Sequence, residues 1–190
     1  MTRIRRADPQ VAPPGPGALN DFDSRALYAA MDAQRTDRGL SWSQLAKELW
    51  DQSVVLNRRR DDHPISPATL TGIGKRANCS CQHALVILRW LGRSPEAFML
   101  VPPSAGATAL PSAGPDVRLR WDLSAVYAAM DERRRERHLT WRELAKDLRC
   151  SEHQLQGLRT VRFAIGMKLM MRIVHWLEQP AASFIYAARW

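Results

Sequence analysis

Apolar residues recur every three to four positions along most of the chain, which is the spacing of amphipathic helices. In the first half this pattern predicts helices over about 23–38, 41–50, 66–74 and 82–91. The second half repeats the pattern, and in both halves a last short helix follows. Alternation with period two does not extend over a useful length, so we expect an all-α fold.

Polar residues mark the predicted helix starts. Asp23 and Asp122 are N-cap candidates because their carboxylates can accept from the first backbone N–H groups. The segments 41–44 (SWSQ) and 140–143 (TWRE) both have the capping-box pattern. Ser66 followed by Pro67 predicts a third start, because proline suits the first helical position.

The two halves repeat one helical unit. Residues 27–49, LYAAMDAQRTDRGLSWSQLAKEL, return 99 positions later as VYAAMDERRRERHLTWRELAKDL. Ser66 then lies over Ser151 and Trp90 over Trp176, so copy one holds an insertion at 51–64. Gly39 can end the first helix in a left-handed conformation, whereas His138 at the equivalent position would be slightly strained.

This organisation predicts two tandem domains of about five helices each. Domain 1 would cover residues 21–100 and domain 2 residues 117–190, each with a modest core of its own. Residues 101–116 form a Pro/Ala/Ser/Gly linker that we expect to be mobile. Residues 1–20 are predicted to be a disordered, basic and Pro-rich tail.

The formal net charge of +9 is unevenly spread. Lys and Arg outnumber Asp and Glu 14 to 8 over residues 117–190, against 11 to 8 over residues 22–99. Such a balance favours polyanions, either nucleic acid or an acidic membrane surface. The 24 Arg against 4 Lys suit phosphate and guanine contacts, and equally fit a G+C-rich genome.

Several classes of function are not indicated. The chain has no run of eighteen apolar residues and no secretory signal pattern, so we expect a cytoplasmic protein with no membrane partner. Cys79, Cys81 and His83 could supply three metal ligands, but a structural zinc needs a fourth, and buried thiols are the favoured interpretation. We find no phosphate loop, nucleophile motif or carboxylate constellation, and therefore expect neither an enzyme nor a cofactor.

Two motifs carry a family resemblance. Residues 40–49 (LSWSQLAKEL) with 66–73 (SPATLTGI), and residues 139–148 (LTWRELAKDL) with 151–158 (SEHQLQGL), resemble the Cro/repressor-type (XRE-type) helix-turn-helix domain. The resemblance covers nearly all of both halves. It implies that the third helix of each copy, Pro67–Gly74 and Glu152–Arg159, is a recognition helix that enters the major groove N-terminus first.

The resemblance also implies which side chains contact bases. In copy two the outward positions are Glu152, His153, Gln156 and Arg159. Glutamate can accept from cytosine, glutamine can pair with adenine, and arginine can bind guanine, while His153 is equally a surface residue. In copy one Ala68 and Thr71 can touch a thymine methyl group, and Pro67 and Gly74 also face outward. Copy two is therefore expected to read sequence, and copy one mainly to bind the backbone.

Contacts to the DNA backbone are implied for residues at the helix starts and for nearby cations. These are Ser41, Trp42, Ser43, Thr140, Trp141, Arg142, Ser66, Ser151, Lys75, Arg76 and Arg162. The family usually has Gln where this chain has Trp42 and Trp141. An indole can donate to a phosphate, or it can pack against the first helix or a partner.

Two further groups of residues have alternative interpretations. The run Arg133–Arg135 can contact the backbone, or it can form a solvated face paired with Asp131, Glu132 and Glu136. The aromatic side chains near the C-terminus, Phe184, Tyr186 and Trp190, can close the core or form a homodimer contact. Arg58–Arg60 in the insertion is offset by three aspartates and is not a basic patch.

The sequence therefore predicts a sequence-specific double-stranded DNA-binding protein, nucleoid-associated in its location. A transcriptional regulator such as a repressor, reading an asymmetric site with two different helices, fits best. Two alternatives are a protein-interaction module of antitoxin or phage-associated type, and a nucleoid-associated protein without sequence preference.

Overall fold

A computed structural model describes residues 21–59, 64–101, 107–160 and 165–189. The predicted tail at 1–20, Arg162 and Trp190 lie outside the described residues, as do parts of the insertion and of the linker. The described part is mostly helical, which agrees with the expected class.

The described part of copy one contains helices α1 to α5, followed by a 3₁₀ turn at Pro95–Phe98. The helices are α1 Ser24–Asp37, α2 Trp42–Asp51, α3 Val54–Asn57, α4 Pro67–Arg76 and α5 Cys81–Leu91. Helix α3 belongs to the insertion; the other four are those predicted from the apolar pattern.

Copy two repeats this order without a counterpart of α3. Its helices are α6 Leu123–Glu136, α7 Trp141–Asp147, α8 Glu152–Gly157 and α9 Met167–Leu177. Two 3₁₀ turns lie at Leu158–Thr160 and Ala181–Phe184. Helix α8 is shorter than predicted, because the backbone tightens into the first of these turns.

The predicted N-caps of α1, α2, α6 and α7 are confirmed. The Asp23 carboxylate accepts from Arg25 N at 2.9 Å, and the Asp122 carboxylate accepts from Ala125 N at 2.8 Å. Both predicted capping boxes are present at the starts of α2 and α7. Gly39 and His138 both have left-handed backbones, with φ of 62° and 55°. The expected strain therefore falls on His138, which has a Cβ atom.

A short antiparallel sheet was not predicted. Strand β1, Arg118–Trp121, pairs with strand β2, Ile185–Ala188. Copy one has an isolated bridge between Phe22 and Met99 at the corresponding place. Each strand has 4 residues, too few for alternation to stand out from a helical pattern.

The insertion binds the end of the linker. The hydroxyl of Ser53 is buried and donates to the carbonyl of Val117 at 2.7 Å. At the start of α3, the N–H of Val55 donates to the carbonyl of Pro115 at 3.0 Å. The insertion therefore provides hydrogen-bond partners for a segment that has none of its own in a sheet or helix.

Arg89 on α5 makes the second attachment of the linker. Its guanidinium donates to the carbonyl oxygens of Gln52 at 2.8 Å, Ala113 at 2.7 Å and Gly114 at 3.0 Å. Burial lowers the pKa of Arg89 from its usual value. Residues 113–117, which include the end of the predicted linker, are therefore hydrogen-bonded to α5 and the insertion.

Buried apolar side chains from both copies form one continuous core. Leu45 and Leu88 of copy one and Leu144 and Met170 of copy two are all fully buried in it. The expectation of two separate cores is therefore wrong. Cys79 and Cys81 are buried as predicted, and burial raises the pKa of Cys79 to about 12.

The copies meet around a local two-fold relationship. Cys81 N donates to Ile165 O at 3.1 Å, and Met167 N donates to Cys79 O at 2.8 Å. In the repeat alignment Cys79 corresponds to Ile165 and Cys81 to Met167. The same pair of bonds is thus made in both directions, as in a symmetric dimer.

Further bonds join the copies on either side of this point. The Gln82 amide donates to the carbonyl of Leu119 at 2.9 Å. Asp21 forms an ion pair with Arg172 on α9, with Nη2 and Oδ2 3.0 Å apart. The beginning of each copy therefore lies against the helix that follows the candidate recognition helix in the other copy.

Within the described ranges, no helix is long and apolar enough to cross a membrane. Nor do His, Cys, Asp and Glu side chains of these ranges form a group of three that could hold a metal ion.

Candidate nucleic-acid interface

The candidate recognition helices are α4 in copy one and α8 in copy two. Each has a serine N-cap and one buried face. Ser66 Oγ accepts from Thr69 N at 3.1 Å, and Ser151 Oγ accepts from Gln154 N at 3.2 Å. On the inner faces Leu70 and Leu155 are fully buried. Because these leucines fix the rotation of each helix, the opposite face must point away from the core.

On α8 and the turn after it, the outward orientation predicted for copy two is confirmed. The four side chains predicted to face outward are all exposed: Glu152, His153, Gln156 and Arg159. Arg159 lies in the 3₁₀ turn and not in the helix itself, so the prediction of a helix extending to Arg159 is wrong. Together these side chains offer hydrogen-bond acceptors, donors and a positive charge on one surface.

The outward face of α4 has fewer hydrogen-bonding side chains than that of α8. Ala68 is exposed, and Thr71 is half-buried with its hydroxyl donating to Ala68 O at 3.3 Å. Gly74 faces inward, because a Cβ atom there would lie 2.9 Å from the Tyr28 ring on α1. The prediction that Gly74 faces outward is therefore wrong. Lys75 and Arg76 are exposed at the end of the helix.

The starts of α2 and α7 differ in charge. Ser41, Ser43, Thr140 and Arg142 are exposed, as a backbone-contacting role requires. In copy two the Glu143 carboxylate accepts from the backbone N–H and the hydroxyl of Thr140, and these bonds lower the pKa of Glu143. Copy one has the neutral Gln44 at this position. An approaching phosphate therefore meets a negative charge at α7 but not at α2.

Trp42 and Trp141 pack against the first helix of their copy, which is one of the two alternatives for these residues. Trp42 stacks on Tyr28 with ring centres 5.8 Å apart, and Trp141 stacks on Tyr127 at 5.3 Å. A guanidinium covers the indole in both copies, at 4.6 Å from Arg35 and 4.7 Å from the equivalent arginine on α6. Both indoles are half-buried.

The run Arg133–Arg135 is paired with acidic residues. Arg134 and Arg135 each lie 2.6 Å from a carboxylate oxygen of Asp131. Arg133 forms an ion pair with Glu178 at 2.8 Å. These contacts favour the structural interpretation of the run over the DNA contact, and Glu178 was not among the expected partners.

An open cleft lies between the end of α4 and the start of α8. Its volume is about 640 Å³. Four of its lining residues carry a positive charge: Arg76, Arg149, Lys168 and Arg172. None of the described lining residues is acidic. Of these cations, Arg172 is compensated by Asp21, whose hydrogen bond raises the pKa of Arg172.

Sequence reasoning missed Arg149 and Lys168. Arg149 follows Leu148, the C-cap of α7, and Lys168 lies in the first turn of α9. Each is an isolated cation in the sequence. They line the same cleft as Arg76 only because the two copies pack together, and no local pattern shows that packing.

Of the two described aromatic residues near the C-terminus, Phe184 belongs to the core. Phe184 is 4% exposed, and Tyr186 is half-buried within β2.

Comparison of the chain with family models, with curated proteins and with solved structures finds no match.

Proposed function

We propose that this protein binds double-stranded DNA and reads an asymmetric sequence, as a transcriptional regulator does. The observation that carries the proposal is the pairing of two equivalent helices, α4 and α8, in one core with different exposed faces. Dimeric helix-turn-helix proteins use one recognition helix from each subunit, so their DNA sites are symmetric. Here one chain supplies both helices, so the half-sites differ.

The differences between the copies support a division of roles. The α8 surface offers Glu152, Gln156 and Arg159, the residue types that discriminate bases in the major groove. Copy one offers the exposed cations Lys75 and Arg76 and a helix α2 that begins without an acidic residue. Copy one therefore suits phosphate binding, and copy two suits base recognition.

The cleft adds a positive surface between the helices. Arg76 comes from copy one and Arg149 and Lys168 come from copy two. In a DNA complex these cations can neutralise phosphates and release counterions.

Selection of bound duplexes from a random DNA pool, followed by a salt titration of binding to the selected site, tests the proposal. We expect one enriched, non-palindromic sequence, and a binding constant that falls by a log–log slope of about −0.9 for each neutralised phosphate. A scrambled duplex of equal length is the control.

Each alternative leads to a different result. Binding with the same salt dependence but without enrichment indicates a nucleoid-associated protein. Absence of binding even at low salt rejects DNA as the partner and favours the protein-interaction module. A palindromic selected sequence would contradict the assignment of different roles to α4 and α8.

A further inference from the structure

A small pocket lies where the insertion, α2, α5 and strand β1 of copy two meet. Its volume is about 140 Å³. Leu49, Leu85 and Val86 give it a largely apolar wall, and Leu119 of copy two closes one side. The insertion contributes Ser53 and Asn57 to the wall.

Copy two shows what this region looks like without an insertion. Three residues of the pocket, Ile65, His83 and Val86, correspond to Cys150, Leu169 and Arg172, which all line the open basic cleft of about 640 Å³. In copy one the insertion therefore leaves a smaller pocket in this region, whose exposed surface is mostly apolar although Arg89 and Arg118 also line it. This accounts for the insertion in copy one better than a role as a basic loop.

One polar side chain in the pocket is not used by the fold. His83 lines the pocket and is half-buried, and among the described residues nothing hydrogen-bonds its ring. Ser53, by contrast, donates to Val117 O, and Gln82 donates to Leu119 O. Burial lowers the pKa of His83, so at neutral pH its ring is uncharged and can donate or accept one hydrogen bond.

The volume limits the size of an occupant. An apolar cavity of about 150 Å³ admits benzene, so 140 Å³ is enough for a single aromatic ring and too small for a nucleotide. Ligand pockets commonly combine an apolar wall with a few polar groups that orient the ligand. An apolar wall with one available imidazole therefore suits a ring that carries one hydroxyl group.

We propose that this pocket is a binding site for small phenols, with the ring between Leu85 and Val86 and the hydroxyl group hydrogen-bonded to His83. Because Leu119 belongs to copy two, a bound phenol contacts both copies and stabilises their packing. The proposal is independent of DNA binding.

Calorimetric titration of the full chain with phenol and with benzene tests the site. We expect phenol to bind at least fivefold more tightly than benzene, because only phenol can hydrogen-bond to His83. In His83→Leu this preference should disappear, while benzene binding is retained or improved by the more apolar wall.

A pair of matched variants tests the location. Ile65→Trp fills the pocket and should abolish binding of both compounds. Cys150→Trp, at the equivalent position in the open cleft, should leave both affinities unchanged. Circular dichroism checks the folding of each variant, and His83→Leu remains decisive if Ile65→Trp does not fold.

Three results would overturn the proposal. The first is absence of phenol binding at millimolar concentrations in the unmodified chain. The second is an unchanged preference for phenol in His83→Leu. The third is unchanged phenol binding in a folded Ile65→Trp variant, which would place the compound elsewhere on the protein.

Discussion

Ser80 and Gly166 lie opposite each other in an antiparallel bridge, although they are the same position of the repeated unit. Each residue is the N-cap of the helix that follows the candidate recognition helix. The bridge therefore joins the two copies at the point where their symmetry is most exact, and the local two-fold passes between these residues.

The first prediction concerns this pair. Ser80 caps α5 by accepting from His83 N, whereas Gly166 has no side chain to cap α9. The backbone of Gly166, with φ −76° and ψ 147°, suits a serine. We expect Gly166→Ser to raise the free energy of unfolding by about 0.4–1 kcal/mol, through the new cap and lower unfolded-state entropy.

Urea unfolding measures this effect. The reciprocal variant Ser80→Gly is the matched control and should lower the stability. A Gly166→Ser variant that is less stable than the unmodified chain would show that the bridge does not tolerate a Cβ atom, although that atom would lie 3.4 Å from Asn78 Oδ1.

The second prediction concerns Glu96, a buried residue between the copies. Its Oε1 accepts from Ala181 N at 2.7 Å, and the residue is 5% exposed. Glu96→Ala leaves this N–H buried without an acceptor, which should cost about 1–3 kcal/mol. Glu96→Gln keeps an acceptor and should cost less. Glu132→Ala on the exposed face of α6 is the control, and equal losses in Glu96→Ala and Glu132→Ala would contradict the inter-copy role.

The third prediction concerns the division of roles in DNA binding. If α8 reads bases, Gln156→Ala and Arg159→Ala should each relax preference at particular positions, at about 1–3 kcal/mol per lost bidentate contact. Thr71→Ala, at the position of copy one that corresponds to Gln156, should change little. Binding of each full-chain variant to the selected site and to single-base variants of it measures the effect. Uniform weakening on all sequences would instead indicate backbone contacts.

The repeat alone would suggest comparing DNA binding by the two halves as separate fragments. The structure favours substitutions in the full chain instead. Because the core is continuous, a fragment that starts near Asp116 would lose the part of the core that copy one supplies. Loss of binding by a fragment would then report unfolding rather than a role in recognition.

The fourth prediction concerns pH. Burial lowers the pKa of His83 in the folded chain, while in the unfolded chain it stays near 6.5. As the pH falls through about 6.5, the unfolded state therefore takes up the proton first, and the folded state loses stability. The charged side chains that line the same pocket are Arg89 and Arg118.

Urea midpoints above and below this pH measure the contribution. The loss of stability on acidification should be smaller in His83→Gln, which cannot be protonated, than in the unmodified chain. His175→Gln, at an exposed position of α9, should behave like the unmodified chain. An identical pH dependence in His83→Gln would contradict the prediction.

The sequence by itself determined the helices other than α3 and most of their starts. Caps such as Asp23 and the capping box at Thr140 depend on side chains within three residues of the helix start, so a local pattern is enough to identify them. The inner and outer faces of α4 and α8 follow in the same way from Leu70 and Leu155, with Gly74 as the exception. The domain boundaries and the resemblance to a helix-turn-helix family stay predictions.

Only the tertiary structure decided how the copies are arranged. The reciprocal bonds at Ser80 and Gly166, the attachment of the linker to Arg89 and the cleft shared by Arg76 and Lys168 join residues far apart in sequence. Their hydrogen-bonding and charged groups are individually unremarkable, and their roles arise from proximity alone. A periodic pattern records which face of a helix is apolar, but not which other apolar face covers it, because burial stabilises any well-packed partner.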